Sequence, residues 1–176
     1  MSERVSRPDG TAPGGDRRRD ALLMGLLALL PVLAHGPAWW EGRLLGPGDG
    51  AVLHYPLRAE VWESYRRLEA PGWNSGVFCG TPLLAAYRPG AFFPLMPVLA
   101  LLPPFVAFQV LVLFSLAAAA VLTFLYLRRL GAVPIGAYVA GLGFSLGPYL
   151  VGHLDDTATL VAAPAFKAGG TGDPRP

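Results

Sequence analysis

A single cysteine, Cys79, stands in the whole chain, so an intrachain disulfide is excluded, and no Cys/His cluster has the spacing of a structural zinc site. Charge is scarce as well. Only 15% of the 176 residues are charged against 53% hydrophobic, which is too apolar for an ordinary soluble domain and fits a membrane protein with polar loops. The sequence holds no nucleophile elbow, phosphate loop, zinc motif or internal repeat. Its arginines flank apolar spans and are not interleaved with base-stacking aromatics, which argues against nucleic acid as a partner.

What is present is a sequence of apolar runs. Residues 1–20, with Arg4, Arg7, Arg17, Arg18 and Arg19, lack apolar periodicity and are expected to form a disordered tail. Residues 21–40 are long enough to cross a hydrocarbon core of about 30 Å at about 1.5 Å per residue. Pro31 is placed to kink that helix, and Trp39 and Trp40 to sit at the far interface. A cleaved signal peptide is the rival reading. The segment is long for one and lacks an Ala-x-Ala cleavage pattern. A second span at 105–127 has neither charge nor proline. A third, at 133–151, is rich in glycine, a surface suited to helix packing in lipid.

The fold class expected is all-α: a polytopic integral membrane protein with about three transmembrane helices and a long extracytoplasmic loop, 41–104, carrying interfacial helices. Basic residues at the N-terminus and at Arg128-Arg129 put both on the cytoplasmic side, so the loop and the chain after Val151 emerge opposite. Within the loop, Leu57, Val61, Tyr65 and Leu68 mark an amphipathic helix over 54–70. Residues 71–90 read as turns, and Ala91–Pro104 as a proline-broken re-entrant or interfacial segment. An apolar pattern begins at Thr157 and collapses by Pro164, leaving a flexible, aberrant tail at 165–176. This predicts the N-terminal fragment of a longer polytopic protein, so the membrane domain is taken as 21–164.

Asp49, between Gly48 and Gly50 just beyond the first span, is the leading candidate for chemistry. A carboxylate there can act as general base toward a hydroxyl or help hold a divalent metal ion; the plain structural reading is an Asx-turn. Asp155 and Asp156, with His153 nearby, emerge on the same side after the third span. They offer a second acid/base or metal site, Asp155 being the metal candidate beside Asp49; helix capping is the structural alternative. Substrate contacts are expected from His54, Tyr55, Trp73, Asn74, Tyr87 and His153. Arg58 and Arg88 have the side chain best shaped for a phosphate, with pairing to Glu60 or Glu63 as the alternative for Arg58.

Gly48-Asp49-Gly50, Tyr55-Pro56, the stretch Trp73-Asn74-Ser75-Gly76-Val77-Phe78-Cys79-Gly80-Thr81-Pro82 and Tyr87-Arg88-Pro89-Gly90-Ala91-Phe92-Phe93-Pro94 together resemble the start of the YfhO-like bacterial membrane proteins. Ser75 and Cys79 depart mildly from that family's loop pattern, and the resemblance covers about residues 20–164. The family is similar to membrane glycosyltransferases of the GT-C type. The resemblance implies a bacterial inner-membrane enzyme of the cell envelope that takes a sugar from a polyprenyl-phosphate donor. The acceptor would be an extracytoplasmic glycan, lipid or protein. Asp49 would be the acidic residue of the first outer loop and Asp155 or Asp156 that of the next. Such enzymes have many more spans than three. The alternative is a non-catalytic membrane scaffold or cell-envelope assembly factor. A transporter would need polar groups near the midplane, and the spans offer few: Gln109, Ser115, Thr123 and Ser145.

Overall fold

A computed structural model describes residues 13–46, 48–77, 79–86 and 89–154, with only the backbone described for 13–16. Six α-helices appear among them: α1 Pro13–Trp40, α2 Tyr55–Arg66, α3 Met96–Leu99, α4 Pro104–Arg129, α5 Pro134–Ser145 and α6 Pro148–Gly152. A π-helical turn, Gly50–His54, leads directly into α2. Three helical stretches are long and apolar enough to cross a membrane: Arg17–Trp40, Pro104–Arg129 and Pro134–Gly152.

Proline sets where several helices start. Pro104, Pro134 and Pro148 each open a helix, where the missing N–H costs nothing. The residues before them, Pro103, Val133 and Gly147, are extended, with ψ of 142°, 146° and 159°, as proline requires of its predecessor. This breaks the third span, expected as one helix, into α5 and α6 at Gly147. The chain there passes so close to the Gly143 carbonyl that a Cβ would collide with it. At the other end of the chain, α1 begins at Pro13, so residues 13–20, expected in the disordered tail, are helical.

Three helices end in the same way. After α1, Gly42 (φ +69°) donates to Trp39 O and Arg43 to Ala38 O. After α4, Gly131 (φ +85°) donates to Arg128 O and Ala132 to Leu127 O. These are Schellman motifs, with glycine at the left-handed position. After α2 the same bonds run from Leu68 to Tyr65 O and from Glu69 to Ser64 O, but the left-handed residue is Leu68, at φ 57°. The helix expected to reach residue 70 therefore stops at Arg66, and it starts four residues earlier than expected by way of the π turn.

The core is centred on α4, which packs against α1 and α5. Their crossing is set by Gly141, where a Cβ would lie 2.8 Å from Ala120 O and 3.3 Å from Leu27 Cδ1. Small residues let the backbones approach this closely. Ser145 on α5 donates to Leu116 O on α4 at 2.8 Å, a hydrogen bond made between two apolar helices. At one end of the bundle Arg128 Nε meets Asp20 Oδ2 at 3.0 Å, so the start of α1 and the α4–α5 turn are neighbours.

Residues 50–102 form a cap on the other end. Leu57, Val61, Leu83 and Ala91 make its own small core, while Trp62 and Met96 join the core of the bundle. The loop is not wholly helical: Trp73–Asn74 (β1) and Thr81–Pro82 (β2) pair antiparallel, Trp73 opposite Pro82 and Asn74 opposite Thr81. The 91–104 segment contains only the one-turn α3, lying against α2.

Candidate functional site

The loop carrying Asp49 is folded back on itself. A Cβ on Gly46 (φ +129°) would lie 3.6 Å from Gly50 Cα and 2.7 Å from the carbonyl oxygen of Leu154. Only glycine fits there. The contact puts the loop after α1 beside the residues that leave α6. Asp49 is exposed at the start of the π turn. Asp155 and Asp156 lie outside the described residues, as do Tyr87 and Arg88.

Behind Asp49 the helix turns its side chains inward. Tyr55 N–H reaches back to Gly50 O, the five-residue spacing of a π turn. Such a turn re-aims the side chains that follow it and is frequent at functional sites. His54 is 1% exposed as a result, and Tyr55 packs edge-to-face on Phe108 of α4 with ring centroids 5.7 Å apart. Phe108 also lines the Gly46 contact, 3.5 Å from the position of its Cβ. His153 is half-buried against Tyr149, with ring centroids 4.6 Å apart and Nδ1 2.7 Å from Tyr149 O. The fold thus draws together the Asp49 loop, Tyr55 and the exit of α6 just after His153.

The other candidates lie elsewhere. Arg58 is 1% exposed, its guanidinium beneath Gly90, where a Cβ would sit 3.5 Å from Nη1. It faces the interior of the cap and not an open phosphate site. Glu60 and Glu63, its alternative partners, are paired with Arg67 at 3.2 Å and Arg66 at 3.3 Å. The bond to Glu60 raises the pKa of Arg67 above its ordinary value. Arg67 therefore stays charged throughout the range in which the cap is folded in water. Trp73, 63% exposed, lies across Gly80 so closely that no Cβ would fit there. Asn74 Oδ1 accepts Gly76 N–H at 2.8 Å, an Asx-turn within the hairpin. These two residues have evident work in shaping the loop.

Three residues that hold the site in place escape sequence reasoning. Gln109, fully buried on α4, accepts Leu45 N–H through Oε1 and donates Nε2 to Arg43 O, both at 2.8 Å. It pins the chain after α1 to the bundle, and its one signal is a lone amide near the start of an apolar span. Arg66 Nε donates to Ala100 O at 2.6 Å and Nη2 to Leu102 O, fastening α2 over the α3–α4 link. Tyr65 Oη donates to Ala91 O at 2.7 Å. No signal in the sequence marks these pairings.

Among the described residues no three His, Cys, Asp or Glu side chains gather as a metal site would. No family model, curated protein or solved structure matches this chain.

Proposed function

We propose that this chain is the N-terminal part of a bacterial inner-membrane glycosyltransferase of the GT-C-like kind. Its N-terminus would be cytoplasmic and its cap would lie outside. The observation that supports the reading is the contact of Gly46 with Leu154, which brings the loop after α1, on which Asp49 lies, against the chain leaving α6. Asp49 takes the proton of an acceptor hydroxyl as that oxygen attacks the anomeric carbon of the sugar. The bond to the polyprenyl phosphate breaks, and the phosphate leaves with the electron pair. An exposed carboxylate on a glycine-framed loop is open to such an acceptor.

The test is transfer of labelled sugar from a polyprenyl-phosphate donor in membranes holding the complete protein. Asp49→Asn removes the base and keeps the shape, so transfer falls by about 10²–10⁴-fold at unchanged protein level. The engagement of Trp73 and Asn74 within their own hairpin favours the second reading, a non-catalytic scaffold. On that reading, Asp49→Asn leaves cell-envelope assembly intact, while Trp73→Ala disrupts it.

A further inference from the structure

Three polar side chains of α2 and the turn before it point into the protein. His54 and Arg58 are each 1% exposed and Trp62 is 0% exposed. They follow one another at intervals of four residues, which sets them on one face, a helical turn apart. Arginine keeps its proton in a protein, so Arg58 brings a full positive charge into this interior. Such a charge is stable in a buried place only with an anion against it. Glu60 and Glu63 of the same helix turn outward, their side chains 39% and 45% exposed, and pair with Arg67 and Arg66.

The chain leaving α6 arrives at the same place. Leu154 packs on the core that holds Trp62 and Met96. Met96 Cε and Arg58 Nη1 in turn lie 3.8 Å and 3.5 Å from the position of a Gly90 Cβ. On the other side, the carbonyl oxygen of Leu154 and Gly50 Cα both close on Gly46, and Gly50 opens the turn that ends at His54. The next two residues in the sequence are Asp155 and Asp156. Two residues of extended chain reach about 7 Å, more than the rise of the one turn from Gly50 to His54. In a helix the Cα–Cβ bonds tilt toward the N-terminus, so Arg58 leans toward that exit.

We propose that Asp155 and Asp156 return over the π turn and supply the anion for Arg58, with His54 as their second partner. The chain after α6 then closes the cap, and its two carboxylates are counter-ions of a buried guanidinium. The pairing does not depend on glycosyl transfer.

The experiment has two parts, both in membranes holding the full chain with Cys79→Ser, which leaves no native cysteine. His54→Cys combined with Asp155→Cys is expected to form a disulfide under mild oxidation, read as a mobility shift that reductant reverses. Leu68→Cys combined with Asp155→Cys is the control, because Leu68 is 95% exposed just past the far end of α2. The second part is a double-mutant cycle read as the rate at which protease digests the cap. Asp155→Asn with Asp156→Asn strands the guanidinium, and Arg58→Met strands the carboxylates; each speeds digestion about a hundredfold. Combining all three removes both charges, and digestion is then no faster than with Arg58→Met alone. A disulfide at residue 54 that forms no more readily than at residue 68 overturns the placement. Effects that multiply in the combined variant overturn the pairing and return the two carboxylates to a separate role, such as holding a metal ion.

Discussion

The bundle and the cap are held together by different physics. Where α1, α4 and α5 cross, the helices meet through shape, Gly141 against Ala120 and Leu27, with a side-chain hydrogen bond from Ser145 beside it. In lipid the surrounding chains are as apolar as the helices, so close backbone approach carries the association. The cap and the chain leading into it are instead fastened by polar side chains to backbone groups, Tyr65 and Arg66 within the cap and Gln109 from α4. Charged and amide donors suit a region in contact with water, and they tie irregular chain that offers no regular face to pack. A bundle built on fit should be brittle to added volume; a cap built on clamps should be brittle to lost donors.

Gly141→Leu tests the first half most severely. Its side chain drives α5 from α4, and we expect a loss of about 3 kcal/mol or more, read as a lower melting temperature in detergent. The cap hairpin should keep its resistance to protease in the same variant. Gly46→Ala follows, at about 2–3 kcal/mol, because a Cβ must enter both a left-handed conformation and the space of Leu154 O. Gln109→Leu fits an apolar span but leaves Arg43 O and Leu45 N–H without their partner; about 2 kcal/mol is expected. In that variant protease should cut first near residues 43–46. Asp20→Asn weakens the partly exposed pair with Arg128 and costs about 1 kcal/mol, an effect that added salt should mimic. Smallest is a gain. Leu68→Gly relieves the left-handed leucine at the end of α2 and should stabilise the cap by about 1 kcal/mol.

The long apolar runs made α1 and α4 readable from sequence, because an uncharged stretch of that length has few other uses. The break at Gly147-Pro148 was visible as a dipeptide but was overridden by the apolar count across 133–151. The hairpin was harder to see, since strands of two residues have no measurable alternation. At the candidate site, sequence identified the glycine-framed carboxylate and placed it on the same side as the exit of the third span. It gave no sign that the intervening contact runs through Gly46. Nor did it show that the π turn would bury His54, or that Arg58 would face inward. Those outcomes depend on packing between segments far apart in the chain, which no local pattern encodes.

The Gln109 clamp also bears on the order in which the molecule is assembled. Arg128 and Asp20 are separated by 108 residues, and tying them directly would carry the entropy cost of closing a long loop. Gln109 and Leu45 are separated by 64 residues, and most of the chain between them is the cap. Once that joint forms, what remains toward each terminus is mostly rigid helix, α1 on one side and α4 on the other. The far ion pair is then brought near by geometry, at little further loss of chain freedom. The cap acts as a staple that shortens the chain between the two helices.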